Sequence, residues 1–205
     1  MPFHVHPAAL SDIPRIAQLI QELYQAELPG ALSGSASGQL ELFEFTLQAN
    51  GESALKNRYM LRDESGQTLG SGMIEFPREG GFERAPNGTI AKAFRAIGFF
   101  ATLKLLGTVA RSLLGVHRGQ DLNSALIHSV VVVEAARGAG AGSALMNHLE
   151  GEIRARGLKR ARLQVLANNL AALRFYARRG YKEIWRLSGW RAALSWASLI
   201  MEKEL

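Results

Sequence analysis

The segment Val130-Val-Val-Val-Glu-Ala-Ala-Arg137-Gly-Ala-Gly140-Ala-Gly142-Ser143 runs an apolar strand into a glycine-rich turn and then directly onto a helix. Main-chain amides at a helix start have no intrahelical acceptor, and the helix dipole adds partial positive charge, so such a turn suits an anion. Glycines let the backbone approach a phosphate closely. Two nucleotide patterns compete for this loop, and neither fits. G-x-G-x-x-G from Gly138 needs a third glycine where Ser143 stands, and the next strand ends in Asn168-Asn169 with no acidic ribose contact. A P-loop needs Gly-Lys-Ser/Thr where the chain has Gly142-Ser143-Ala144. What remains is R-x-x-G-x-G, formed by Arg137, Gly140 and Gly142.

Further on, Asn169 and Tyr176 are separated by about two helical turns, which places both side chains on nearly the same face of one helix. His128 lies in the strand ahead of the loop and has a side chain that titrates near neutrality. The chain contains no cysteine, which excludes disulfides, thiolate metal sites and an acyl-cysteine intermediate, so no metal centre is expected.

These residues need a scaffold, and the patterning supplies one. Phe3 and Val5 mark a short strand. Ser11-Asp12 cap a helix to about residue 25, with Pro14 in its first turn and Ile13, Ile16, Leu19, Ile20 and Leu23 on one face. A Gly/Ser-rich loop over 29–38 leads to a second helix from Gln39 to Ala49, and Arg58–Asp63 and Thr68–Phe76 form a hairpin about the turn at Asp63-Glu-Ser-Gly66. From Leu126 onward, strands at Leu126–Val133, Arg162–Ala167, Tyr181–Leu187 and Ala197–Leu205 alternate with helices at Ser143–Arg156 and Asn169–Arg179. Gly157 and Gly180 end those helices. The expected fold is α/β, one domain over 1–205, with helices on the faces of a mixed sheet.

Residues 77–120 stand apart as a helical insertion. Their apolar stretch Ala93–Val116 is interrupted by Arg95, Lys104, Arg111, Gly98 and Gly107, which argues against a membrane span. Lys104, Arg111 and Arg118 recur on one helix face opposite Phe99, Leu103, Leu106 and Leu113. The helix is expected to pack on its own domain or on a second copy in a homodimer; the sharper reading is membrane-surface contact or substrate gating through 92–118. A net charge of +6 favours polyanionic partners in general, yet the basic residues are dispersed, so nucleic acid is not the expected partner. The first ten residues do not read as a signal peptide, which points to the cytoplasm.

The loop and the segments downstream of it resemble the GNAT superfamily of N-acyltransferases. Its pyrophosphate loop reads Q/R-x-x-G-x-G/A, and Arg137, Gly140 and Gly142 match each fixed position. Asn169-Leu-Ala-Ala-Leu-Arg-Phe-Tyr176-Ala-Arg-Arg-Gly180-Tyr181 is similar to the family's N-x-x-A-x-x-x-Y-x-x-x-G-F/Y, and Ile200–Leu205 to its last strand. The resemblance covers about 120–205 well, extends in architecture to 3–76, and is absent from the insertion. It implies a GNAT-like, mostly antiparallel sheet splayed at its centre, with acetyl-CoA as acyl donor in the splay. It implies pantetheine contacts from the main chain of Val130, Val131 and Val132, and a pyrophosphate wrapped by Arg137, Gly138, Ala139, Gly140, Ala141, Gly142 and Ser143. Asn169 would contact the cofactor chain, Tyr176 would protonate the departing thiolate, and a strand amide near Val132 would stabilise the oxyanion.

The acceptor implied is a primary amine. Family members often place a basic glutamate where this chain has Leu126 and Gln164, so the proton acceptor stays open among His128, Glu75 and a chain of waters. The 30–38 loop, the helix after it and the insertion are expected to border the acceptor. A different class of function is also compatible: a coenzyme A-binding sensor or interaction module that docks through the basic insertion helix.

Overall fold

A computed structural model describes residues 2–28, 30–79, 85–114 and 121–205. In chain order, β1 (His4–Pro7) is followed by α1 (Ile13–Glu27), α2 (Ala36–Asn50), α3 (Glu52–Leu55), β2 (Arg58–Arg62) and β3 (Thr68–Glu75). The insertion supplies α4 (Thr89–Ala96) and α5 (Phe99–Leu114). Then come β4 (Ser124–Val132), α6 (Ala141–Ala155), β5 (Arg160–Leu166), α7 (Leu170–Arg178), β6 (Lys182–Arg186), α8 (Gly189–Leu194) and β7 (Ser198–Glu204).

The strands form one seven-stranded sheet in the order β1-β2-β3-β4-β5-β7-β6. All neighbours are antiparallel except β4 and β5. The α/β fold and the mixed, mostly antiparallel sheet expected from the sequence are therefore present.

Side-chain alternation gives the sheet two buried faces. Tyr59, Leu61, Ile74, Ile127, Leu163 and Leu199 point to α6, whose Leu145, Met146, Leu149 and Ile153 are fully buried against them. Met60 and Val131 point the other way, into a second core formed with Ile13, Ile16 and Leu19 of α1 and Leu47 of α2. The stripe on α1 matches its helical spacing, although Asp12 does not cap the helix through its side chain. Its carboxylate instead accepts the Ala9 amide at 3.0 Å and the Arg62 guanidinium at 2.6 Å.

The insertion differs from the expected single helix. It breaks after Ala96, where Ile97 leads into Gly98 at φ +84°, a conformation that glycine adopts without strain. α4 and the start of α5 dock on α2 through a cluster of Leu42, Ala93, Ile97 and Ala101. The face of α5 that turns inward carries Ala101, Thr102 and Leu105, while Phe99, Phe100, Leu103, Leu106 and Val109 stay exposed. The helix thus packs on its own domain, as one of the expected alternatives had it, through small residues and a threonine, while the large apolar side chains Phe99, Leu103 and Leu106 face out. Arg118, Val116 and the side chain of Leu113 lie outside the described residues. No helix among the described residues is long and apolar enough to cross a membrane.

Candidate active site

β4 and β5 pair over four positions, from Ser124↔Arg160 to Ile127↔Leu163, and then separate. Each keeps its outer partner. β4 stays on β3 as far as Val132↔Gly70, and β5 stays on β7 as far as Leu166↔Ser198. The stretch 128–132 and the stretch 164–166 therefore line a gap inside the sheet, with main-chain groups on its lips that have no ladder partner across it. A register shift between Ser71 and Met73, opposite a positive φ of 52° at Ser129, marks a bulge in β4 at the start of the gap. The bulge changes which side faces α1: Ile127 points to α6, whereas Val131, four residues on, points to α1.

The chain leaves β4 through one turn of 3₁₀ helix and enters α6 at Ala141. Gly138 (φ +81°) and Gly140 (φ +91°) hold the turn in the left-handed region. The α6 N-terminus has no side-chain cap, in contrast to α2, capped by Ser35, and α7, capped by Asn169. The first-turn amides of Ala141, Gly142 and Ser143 thus stay available to an anion at the end of the gap, where the dipole contributes ~0.3–2 kcal/mol. Gly142 is close-fitted for another reason: a Cβ there would lie 3.4 Å from the Phe175 ring. Arg137 folds back over the strand end, its Nε donating to the Val132 carbonyl at 3.1 Å. These features fit a pyrophosphate and the extended amide arm of an acyl-CoA.

Asn169 and Tyr176 come to the same region, but in different ways. Asn169 precedes α7 and accepts the Ala172 amide at 3.1 Å. Tyr176 is 9% exposed, between the rings of Phe175 and Tyr181. Burial, reinforced by the negative charge of Glu27 and opposed by Arg179, raises its pKa well above that of an ordinary phenol. It therefore remains protonated at neutral pH.

Nothing in the sequence around Glu27 distinguishes it as a site residue. It ends α1, and its Oε1 accepts from Asn169 Nδ2 at 3.1 Å across the mouth of the gap. Burial raises its pKa and the Asn169 hydrogen bond partly offsets that. The contact joins residues far apart in the chain, so no local pattern could have disclosed it.

His128 lies on β4 at the start of the gap, with Nδ1 3.1 Å from Ser129 Oγ. Burial, with the charge of Arg58 as a second cause, lowers its pKa to about 4, so it is neutral near pH 7. Glu75 pairs with Leu126 one strand away from β5.

The insertion closes one side of this region. Thr108 Oγ1 donates to the Ala31 carbonyl at 3.3 Å, tying α5 to the α1–α2 loop. Arg111 donates to the Ser195 carbonyl at 2.9 Å and stacks on Trp196, tying the same helix to the segment before β7. The insertion is thereby in contact with the 30–38 loop and, through α4, with α2. Among the described residues, no group of three or more His, Asp or Glu side chains could hold a metal ion.

Solved structures share this architecture. A GCN5-related N-acetyltransferase from Kribbella flavida aligns at TM-score 0.59 with 18% identity, covering 99% of this chain and 98% of that one. A PaiA N-acetyltransferase from Thermoplasma acidophilum, in complex with coenzyme A, aligns at TM-score 0.58 with 12% identity over 100% of both chains. A ribosomal-protein-alanine N-acetyltransferase from Brucella melitensis aligns at 0.57 with 19% identity, covering 98% and 99%. At these identities the likeness is one of fold. No curated protein matches the chain. The sequence profile of the acetyltransferase (GNAT) family matches residues 74–181, which contain β4, the glycine loop, α6, β5, α7 and Tyr181. This chain belongs to the acetyltransferase (GNAT) family.

Proposed function

We propose that the protein is a cytoplasmic N-acyltransferase that moves an acetyl or similar acyl group from acetyl-CoA to a primary amine, by direct attack in a ternary complex. The observation that carries this reading is the parting of β4 and β5 after four pairs, ending at the uncapped, glycine-rich start of α6. Main-chain groups of Val130 to Val132 pair with the pantetheine arm, and Arg137 to Ser143 hold the pyrophosphate. The amine nitrogen attacks the thioester carbon, the C–S bond breaks, and Tyr176 passes its phenolic proton to the departing sulfur.

The ammonium proton must be removed first, and here Glu27 is preferred to His128 and Glu75. An alkylammonium has a pKa near ~10.4, so transfer to an imidazole held at about 4 is uphill by about six units, or ~8 kcal/mol. Burial moves Glu27 the other way, toward a stronger base, and its bond to Asn169 sets it at the gap.

The test combines titration with kinetics. Calorimetry with acetyl-CoA, coenzyme A and NADH should give selective binding of the acyl-CoA pair. Tyr176→Phe should keep that binding and lose ~10²–10⁴-fold in turnover over an amine panel. Glu27→Gln should remove the acidic limb of the kcat/KM profile, a limb lying above the ordinary glutamate range. Absence of coenzyme A binding by folded protein would refute the proposal. Binding without turnover on any amine would favour a coenzyme A-dependent sensor.

A second role for the insertion draws on the exposed row Phe99, Phe100, Leu103, Leu106 and Val109 on α5. Such a row suits shallow contact with an anionic membrane surface. Co-sedimentation with anionic liposomes, lost in Phe100→Asp, tests it.

A further inference from the structure

Arg58 starts β2 and is 6% exposed, yet two of its guanidinium nitrogens, Nε and Nη1, are buried without a hydrogen-bond partner. Its Nη2 meets the thioether sulfur of Met73 at 3.5 Å, a weak acceptor. Other well-covered arginines are neutralised: Arg162 by Asp121 and Glu202, Arg179 by Glu150. Among the described residues, Arg58 has no carboxylate within ion-pair distance. An unpaired buried cation carries a large desolvation cost, which folding tolerates when a ligand supplies the missing charge.

Strand register defines where that charge lies. Arg58 pairs with Met73, and Met73 with His128, so the three form a row across β2, β3 and β4. The row ends at the gap between β4 and β5. Two strand spacings separate Arg58 from β4, or about 10 Å. An open depression of about 870 Å³ lies on the β1 side of Arg58, lined by Pro7, Ala9, Glu52, Lys56 and Arg58 among others, and none of its lining residues belongs to β3, β4 or β5.

We propose that Arg58 is the anion-recognition residue of the acceptor site, and that the amine acceptor carries a carboxylate several bonds from its reacting nitrogen. The inference rests on the acyl-transfer reading for the amine and on Arg58 alone for the carboxylate. The carboxylate accepts from the free Nε and Nη1 while the amine reaches the thioester at the gap.

The experiment has two arms. In the kinetic arm, ω-amino acids of increasing chain length are compared with their neutral amides as acceptors. The wild type should prefer the carboxylate member by about tenfold or more in kcat/KM, as expected for a charge-assisted hydrogen bond in a buried setting. Arg58→Met should erase the preference through KM while turnover of the neutral amides persists, and Arg58→Lys should recover part of it. In the binding arm, thermal melting is followed with glutarate against chloride at equal ionic strength. Glutarate should stabilise the wild type saturably and also a Lys182→Gln control, which loses one exposed positive charge, but not Arg58→Met. If the wild type shows no glutarate effect, or Arg58→Met retains it, the proposal falls. Absence of turnover on every amine would overturn acyl transfer alone, leaving the melting arm to decide on Arg58.

Discussion

Gly38, in the first turn of α2, lies against the C-terminal end of α4. A Cβ at this position would sit 1.9 Å from the Ala96 carbonyl oxygen and 2.8 Å from its carbon. In an unobstructed helix, alanine is favoured over glycine by ~1 kcal/mol. Gly38→Ala would therefore stabilise α2 if α4 were elsewhere. With α4 in place, the contact must open by roughly 1.4 Å to reach an ordinary carbon–oxygen separation of ~3.3 Å. The colliding atom is backbone, so the whole C-terminal end of α4 has to move, and overpacking of this kind costs ~1–3 kcal/mol. The expected net effect is a loss of about 0–2 kcal/mol, or up to ~8 °C in Tm for a chain of this length. Hydrogen exchange measured by mass spectrometry should accelerate over α4 and α5 and stay unchanged over β4. An acceptor KM that rises while the acetyl-CoA KM does not would follow from the ties of α5 to Ala31 and Ser195. A variant that melts above the wild type, with unaltered exchange in α4 and α5, would refute the close α2–α4 contact and the reasoning built on it.

Two further predictions concern buried ionisable groups. Glu150 on α6 is 2% exposed and accepts from Arg179 at 3.0 Å, Tyr181 at 3.2 Å and Lys203 at 2.7 Å. Glu150→Gln leaves Arg179, Lys203 and Arg154 without this counter-charge and should cost ~2–4 kcal/mol, seen as a Tm drop of roughly 4–16 °C. His128 should stay neutral as pH falls from 8 to 5 when followed by NMR of its ring nitrogens, since its folded pKa is about 4. The unfolded chain takes up that proton near the ordinary histidine pKa of ~6.5, so stability should fall as pH drops from about 6.5 to 4, and His128→Asn should flatten that slope.

The parts of the fold legible in the sequence are those with local causes. Arg137, Gly140 and Gly142 sit where a strand must turn into a helix, and left-handed glycines are read directly from residue type. The hairpin about Asp63–Gly66 and the stripe on α1 are likewise local patterns. Helical spacing brings Asn169 and Tyr176 together, although Asn169 proves to cap the helix. Other features are set by register and tertiary contact, which no local pattern carries. The solitude of Arg58 depends on which residues sit across two ladders, and the position of Glu27 depends on how far α1 runs along the sheet. The insertion misleads for a related reason: its inward face uses Ala101 and Thr102, and hydrophobicity alone favours Phe99 and Leu103.

The four-pair ladder between β4 and β5 has a thermodynamic consequence. Strands β1 to β4 and strands β5, β7 and β6 meet within the sheet along that short seam. A ligand held in the gap beside that seam, as proposed for an acyl-CoA, binds a site that exists only in the folded chain. At a concentration 100 times its dissociation constant, such a ligand adds ~2.7 kcal/mol to the folding free energy. If the proposed acyl donor is that ligand, the lifetime of the protein against proteolysis should track the donor's supply, so that a chain deprived of it is also the chain most readily cleared.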